Sequence, residues 1–210
     1  MSSITTSEAN RLLAAAQNGH DDCLGQLLQM YLNYLKLLAR TQLDRKLQAR
    51  TSASDVVQDT LLEAHRDFAQ FRGSCPEQFL AWLKTILVNN LGHIIQRHVL
   101  AEKRDVRREV SINDIGATLE RSSARLVAII ADRGQSPSAD AQNHEASLLL
   151  ADALAELPDD YREVILLRHI EGLAFPEVAA RMERTAGAVR MLWMRAIAQL
   201  RVRLESRGVL

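Results

Sequence analysis

Hydrophobic residues recur at intervals of three and four positions along most of the chain, which places them on one face of successive helices. The alternation of apolar and polar positions that is typical of strands is scarce. The pattern therefore predicts an all-α protein. In the first half, the predicted helices run from Ser7 to about Asn18, from Asp21 to about Lys46, from Ser52 or Ser54 to Phe71, and from about Glu77 to Val99.

Residues 111–143 depart from this pattern because turn-forming residues interrupt the apolar spacing. Only a short helix, from Ala124 to Ala131, is predicted here, and residues 134–139 are expected to be the most flexible part. We therefore expect two helical domains, 1–110 and 144–210, joined by a flexible acidic linker.

The second domain is predicted to contain four helices. The first begins near Asn143 or His144 and stops near Pro158, because proline disfavours helical geometry in the residue before it. The others run from Tyr161 to Ile170, from Phe175 to Met182, and from a cap at Thr185 to Leu204.

The last two predicted helices and the tight turn between them form a helix-turn-helix. In this motif Ala179 is the small residue that lets the two helices approach, and Val189 packs beneath the second helix. Glu183 occupies the turn position that glycine often holds. A left-handed backbone at a non-glycine residue costs about 1 kcal/mol, which does not forbid the fold.

The final helix has two different faces. The apolar stripe is predicted to face the core and contains Val189, Trp193, Ala196, Ile197, Leu200 and Leu204. On the opposite face lie Arg190, Met191, Met194 and Arg195. Guanidinium groups suit phosphates and guanine edges in a major groove. Taken alone, the helix also fits a solvated basic face that has no partner.

Charge is unevenly distributed in a chain whose 26 basic and 26 acidic side chains cancel. Residues 181–207 contain seven arginines and two glutamates, whereas residues 111–160 contain three arginines and nine acidic side chains. The basic C-terminal end is therefore expected to favour an encounter with nucleic acid.

Several other functions are not indicated. Cys23 and Cys75 lack a C-x-x-C partner, and the six histidines show no ligand spacing, so neither a disulfide scaffold nor a metal site is predicted. We expect no cofactor and no enzymatic activity, because the sequence has no glycine-rich phosphate loop and no nucleophile elbow. The start does not resemble a signal peptide and no apolar run approaches the roughly 18 residues of a membrane span, so a cytoplasmic location is expected.

Motifs in both halves resemble one family. Residues 157–168, which begin Leu-Pro-Asp-Asp-Tyr-Arg, together with 171–180 and 187–196, resemble region 4 of the extracytoplasmic-function (ECF) sigma factors of RNA polymerase. Ser54-Asp-Val-Val-Gln-Asp59 resembles the Asp-x-x-Gln-acid signature of their region 2. Phe71-Arg-Gly73, followed by Phe79-Leu-Ala-Trp-Leu83, resembles the adjoining promoter-melting segment. The two motif sets occur in the family's order and cover nearly the whole chain.

The resemblance implies two protein partners for the chain. Asp55, Gln58 and Asp59 match the surface by which these factors dock on a coiled coil of the largest subunit of core RNA polymerase. The flap of the second-largest subunit is a further expected contact. An anti-sigma protein that clamps the two domains is a common regulator in the family.

The resemblance also implies promoter DNA as a partner. The residues implied at the -10 element, where an unstacked base is captured, are Phe71, Ser74, Phe79, Asn89, Asn90, His93 and Arg97. Those implied at the -35 element are Arg190, Met191, Met194 and Arg195, with phosphate contacts from Arg184 and Arg201. We expect the two methionines to contact thymine methyl groups and the arginines to contact guanine or phosphate.

Two other functions remain open from the sequence. In one, the protein is a helix-turn-helix regulator in which residues 8–110 form a sensor or dimerisation bundle. In the other, it is a small helical enzyme or scaffold, which requires a polar pocket that the sequence does not indicate. Binding to core polymerase distinguishes the sigma-factor hypothesis from both.

Overall fold

The computed structural model describes residues 6–43, 51–101, 112–131 and 140–208. All regular structure in these ranges is helical, which confirms the predicted all-α class. No helix in the same ranges is long and apolar enough to cross a membrane. The α-helices are α1 (Thr6–Gln17), α2 (Asp21–Gln42), α3 (Ala53–Asp67), α4 (Pro76–Ala101), α5 (Ile112–Ala131), α6 (Asp140–Ala155), α7 (Asp159–Ile165), α8 (Phe175–Arg181) and α9 (Ala186–Glu205). A 3-10 turn, Phe68–Gln70, follows α3, and a π-helical segment, Leu166–Ile170, continues α7.

Backbone contacts divide the chain into two compact units, one formed by Ile4–Arg121 and the other built on Ser122–Leu210. Two helical units agree with the two predicted domains in number. The limits at 110 and 144 stay a prediction. The segment predicted to be most flexible, 134–139, lies outside the described residues.

Apolar side chains at helical spacing build the core of the N-terminal unit. On α4, the fully buried positions fall four residues apart, at Phe79, Leu83, Leu87 and Leu91. The matching stripe on α2 consists of Leu27, Tyr31, Leu35 and Leu38. Burying each of these side chains stabilises the fold by roughly 1.5–3 kcal/mol, so the two stripes hold the bundle together.

The beginnings of α3 and α4 are fixed by polar contacts. Ser52 Oγ accepts from the amide of Asp55 at 3.1 Å, and Asp55 Oδ2 accepts from the amide of Ser52 at 3.3 Å. This reciprocal capping box identifies Ser52 as the cap. At the start of α4, the Tyr31 hydroxyl donates to the carbonyl of Pro76 at 3.4 Å. Burial, assisted by the Glu77 carboxylate, raises the pKa of Tyr31, so its hydroxyl keeps its proton.

Helix α5 corrects the sequence analysis, which expected turns up to a short helix at 124–131. The helix instead begins at Ile112 and continues to Ala131. Ile115, Leu119 and Ser122 are buried on one of its faces, so apolar spacing outweighs the turn preferences of the residues around them. Asp114 lies in the first turn, where the helix dipole favours an acid.

Arg162 ties the end of α6 to α7 in the C-terminal unit. Its guanidinium donates to the carbonyls of Leu154, Ala155 and Leu157, each at 2.9 Å, and pairs with Asp159 at 3.1 Å. The last carbonyls of a helix have no partner within the helix. One side chain therefore satisfies the end of α6 and sets the turn into α7.

The predicted helix-turn-helix is formed by α8, a turn and α9. Thr185 caps α9, as predicted, because its hydroxyl accepts from the amide of Ala188 at 3.2 Å. Val189 is fully buried and Ala179 is nearly so, as expected for the contact between the two helices. Glu183 has φ +56°, which confirms the left-handed turn residue.

The left-handed backbone at Glu183 leads to a stability prediction. Glu183→Gly should be more stable than Glu183→Ala by about 1 kcal/mol, because alanine keeps the Cβ that is strained at positive φ. Both variants lack the carboxylate, so their difference isolates the backbone. Urea denaturation of the full chain measures it. Equal unfolding free energies would contradict a strained turn.

Candidate functional site

A stripe on the open face of α3 carries the residues predicted to dock on polymerase. Asp55, Gln58 and Asp59 are all exposed at the spacing of one helix face. Leu62 continues this stripe one turn further and is 70% exposed. We call these four residues the α3 docking stripe. Leu62 was not predicted as part of this surface, although its position seven residues after Asp55 places it on the same helix face.

The loop between α3 and α4 rests on packed aromatic rings. Phe71 lies 5.4 Å from Phe79 and 5.3 Å from Trp82, measured between ring centroids. Phe79 is 0% exposed and Phe71 is 9% exposed, whereas Trp82 is half-buried. Neither phenylalanine presents an open ring face in this arrangement. Phe71 and Phe79, which the resemblance implies at the -10 element, thus support the loop from the core and do not face solvent.

Gly73 and two hydrogen bonds set the backbone of this loop. A Cβ at Gly73 would overlap the ring of Phe71 and lie 2.9 Å from Cβ of Gln78. The Gln17 side chain donates to the carbonyl of Gly73 at 2.7 Å, and the amide of Ser74 donates to Gln78 Oε1 at 2.8 Å. The backbone is thereby held while the residue predicted to read a base, Ser74, stays exposed.

The residues of α4 predicted to contact DNA have different surroundings. Asn89, His93 and Arg97 are exposed. Asn90 is half-buried, and its side-chain nitrogen donates to Thr60 Oγ1 at 3.3 Å and to Glu63 Oε2 at 3.1 Å. Its amide nitrogen therefore joins α4 to α3, and the predicted contact of this residue with DNA stays a prediction.

A cleft of about 390 Å³ lies along the outer face of α4 and is bordered by α3. It is lined by Asp59, Asn90, His93, Ile94, Gln96 and Arg97. The docking candidate Asp59 and the -10 candidates His93 and Arg97 thus border one concave surface, which neither motif indicated by itself.

The outer face of α9 brings together the four residues predicted at the -35 element. Arg190, Met191, Met194 and Arg195 are all exposed. In the described part of the chain, neither arginine forms a hydrogen bond or an ion pair, although the Arg190 guanidinium lies 5.5 Å from the centroid of the Phe175 ring. Their N–H donors are therefore available to an external acceptor.

Internal ion pairs remove much of the C-terminal excess of arginine. Of the seven arginines in 181–207, four pair with carboxylates: Arg181 with Glu171, Arg184 with Asp160, and both Arg203 and Arg207 with Glu156. Among the described residues, no carboxylate pairs with Arg190, Arg195 or Arg201. The remaining positive charge thus lies on α9, and the expected phosphate contact from Arg184 competes with Asp160.

The described residues contain no group of three side chains suited to hold a metal ion, and both cysteines are free thiols. The surfaces outlined above are exposed helix faces and a shallow cleft that carry carboxylates, amides and guanidinium groups. Such surfaces bind macromolecules through charge and shape.

Comparison with known proteins identifies relatives of both units. The family model for sigma-70 region 2 matches residues 27–99, and that for sigma-70 region 4 matches residues 147–200. The chain is 26% identical over 187 residues to the ECF RNA polymerase sigma-E factor of Haemophilus influenzae, covering 88% of this chain and 89% of that protein. It is 30% identical over 142 residues to the ECF RNA polymerase sigma-E factor of Escherichia coli, covering 68% of each.

A similar solved structure is that of CnrH in complex with the cytosolic domain of CnrY. The sequence identity is 26%, the TM-score is 0.35, and the match covers 95% of this chain and 98% of that one.

The close approach at Gly73 predicts that Gly73→Ala destabilises the N-terminal unit by about 1–3 kcal/mol, because the Phe71 ring must leave its place. Gly25→Ala is the matched control, since Gly25 lies in α2 with nothing near its Cβ position. That change should stabilise by roughly 0.5–1 kcal/mol, as expected for alanine replacing glycine within a helix. Thermal or urea unfolding measures both. If Gly73→Ala left the free energy of unfolding unchanged, the close packing of Phe71 against Gly73 would not constrain the loop.

Proposed function

The chain belongs to the extracytoplasmic-function (ECF) sigma factors of RNA polymerase, and we propose that its two units divide promoter recognition between them. As a sigma factor, it directs promoter-specific transcription initiation by binding core polymerase and promoter DNA. The N-terminal unit docks on the polymerase and traps an opened -10 base. The C-terminal unit reads the -35 element. The observation that carries this division is the exposed basic face of α9, whose Arg190 and Arg195 pair with no carboxylate among the described residues, in a chain that also exposes the acidic α3 docking stripe.

The α3 docking stripe binds the coiled coil of the largest polymerase subunit. Asp55 and Asp59 supply two carboxylates, and Gln58 supplies an amide between them. Charged hydrogen bonds from a basic helix would satisfy these groups. Leu62 is the apolar anchor of the contact, because its burial against the partner removes an exposed leucine from water. The cleft that Asp59 borders together with His93 and Arg97 supports a path for the -10 DNA next to this contact.

At the -10 element, the loop that follows Phe71 receives the unstacked base. Ser74 and Asn89 are exposed and carry the donors and acceptors that read a base edge. The buried rings of Phe71 and Phe79 support the backbone of this loop from the core. His93 and Arg97 extend the contact along α4. The N-terminal unit does not change the DNA covalently. It favours promoter opening because it binds melted DNA more tightly than duplex DNA.

At the -35 element, α9 lies in the major groove. Arg190 and Arg195 donate to guanine or phosphate, while Met191 and Met194 contact thymine methyl groups. Arg201 contacts a phosphate, and Arg184 does so if it leaves Asp160. The flap of the second-largest subunit holds this unit near the promoter. An anti-sigma protein is the proposed regulator, and the cytoplasm is the proposed location.

Core binding tests the function through the docking stripe. Replacing Asp55, Gln58 and Asp59 together by alanine should weaken binding to purified core polymerase by about 100-fold, because charged hydrogen bonds are lost at the centre of the contact. The matched control replaces Asp21, Asp22 and Gln26, which are exposed on α2 and lose the same groups.

The control variant should keep nearly full affinity, and circular dichroism should show both variants folded. If the α3 variant bound core polymerase as tightly as the wild type, the proposed role of the α3 docking stripe in core binding would be contradicted. Failure of the wild type to bind core, with DNA binding retained, would favour a helix-turn-helix regulator.

A further inference from the structure

Two guanidinium groups share the ring of Phe175, the first residue of α8. The Cζ atom of Arg190 lies 5.5 Å from the ring centroid and that of Arg168 lies 4.9 Å from it. Both distances fall within the roughly 6 Å over which a cation is attracted to an aromatic face. Phe175 thus links the start of the first helix of the helix-turn-helix to a side chain on the outer face of the second.

The ring of Phe175 is itself held in place from the core side. Trp193 packs against it edge to face, with centroids 5.7 Å apart and planes at 76°. The Trp193 Nε1–H donates to His169 Nε2 at 3.0 Å, and these two rings stack with centroids 5.9 Å apart. A side chain fixed in this way offers a defined surface to Arg190.

Arg168 and Arg190 differ in the number of contacts that hold their guanidinium groups. Arg168 also donates from Nη1 to the carbonyl of Leu173 at 2.8 Å, which anchors it to the turn before α8. Arg190 makes no hydrogen bond or ion pair with the residues that the structure describes. Arg168 is half-buried and Arg190 is exposed, so Arg190 is the one of the two that is open to an external ligand.

We propose that Phe175 is a positioning residue that holds the Arg190 guanidinium ready for the major groove. This inference rests on the proposed reading of the -35 element by α9. An arginine that is already ordered loses less side-chain entropy when it binds DNA. Arg195, exposed on the same face, has no ring contact, hydrogen bond or ion pair within the described ranges, so its ordering does not depend on Phe175.

A double-mutant cycle tests the coupling in the complete holoenzyme. The probe is a duplex that the wild-type holoenzyme selects from a pool randomised over the -35 region. Phe175→Leu should weaken its binding by about 2- to 5-fold, the range expected for an exposed cation–π contact. In an Arg190→Ala background, the same change should have no further effect. In an Arg195→Ala background, the full loss should persist.

Two further variants separate ring electrostatics from packing. Phe175→Tyr keeps the ring and should bind like the wild type. Site-specific pentafluorophenylalanine at 175 keeps the shape but removes the attraction for a cation, so it should reproduce the loss seen with Phe175→Leu. It also provides the test if Phe175→Leu fails to fold, as judged by urea unfolding.

The outcomes distinguish this inference from the function on which it rests. Equal losses from Phe175→Leu with and without Arg190 would overturn the positioning role and leave the -35 contact of Arg190 standing. If Arg190→Ala alone left binding unchanged, both the contact and the positioning role would be overturned.

Discussion

Burial of one stripe of α9 is the constraint on which the C-terminal unit depends. Val189, Ala196, Leu200 and Leu204 are buried, and this turns the opposite face of the helix outward. The stripe has a surface to pack against because Arg162 closes the end of α6 and directs the chain into α7. A helix whose orientation is set by its core is rigid enough to present side chains to DNA at fixed spacing.

Polar groups in both units fall into two classes, those satisfied within the protein and those left exposed, and this distinction supports the proposed interfaces. Some are satisfied internally, such as Asn90 with Glu63, and Arg207 with Glu156 at 2.6 Å. Others stay open, notably Asp59 on α3 and Arg190 on α9. An exposed internal ion pair contributes little stability, but it removes charge from the surface that a partner meets. What remains is an acidic surface on α3 and a basic one on α9, which suits partners of opposite charge.

Much of the fold followed from residue spacing, and the exceptions have physical causes. Apolar periodicity and local caps predicted the helix-turn-helix, including the left-handed Glu183. The part of α5 that precedes Ala124 was not predicted, because turn-forming residues interrupt the spacing of Ile115 and Leu119. The burial of Phe79 and the pairing of Arg207 with Glu156 depend on contacts between residues distant in sequence, which no local pattern encodes. The helix that carries a side chain could therefore be predicted from the sequence more fully than the contacts which that side chain makes.

Run-off transcription with purified core polymerase tests most directly that the two units act together as one promoter-directing subunit. The template is the duplex selected by the wild-type holoenzyme, extended downstream. We expect a transcript of defined length with the intact chain, and none when the segments 1–131 and 140–210, which together keep helices α1 to α9, are supplied as separate chains, because the -35 and -10 contacts are then no longer coupled. An intact chain that binds both core polymerase and this DNA yet yields no transcript would contradict the proposed function.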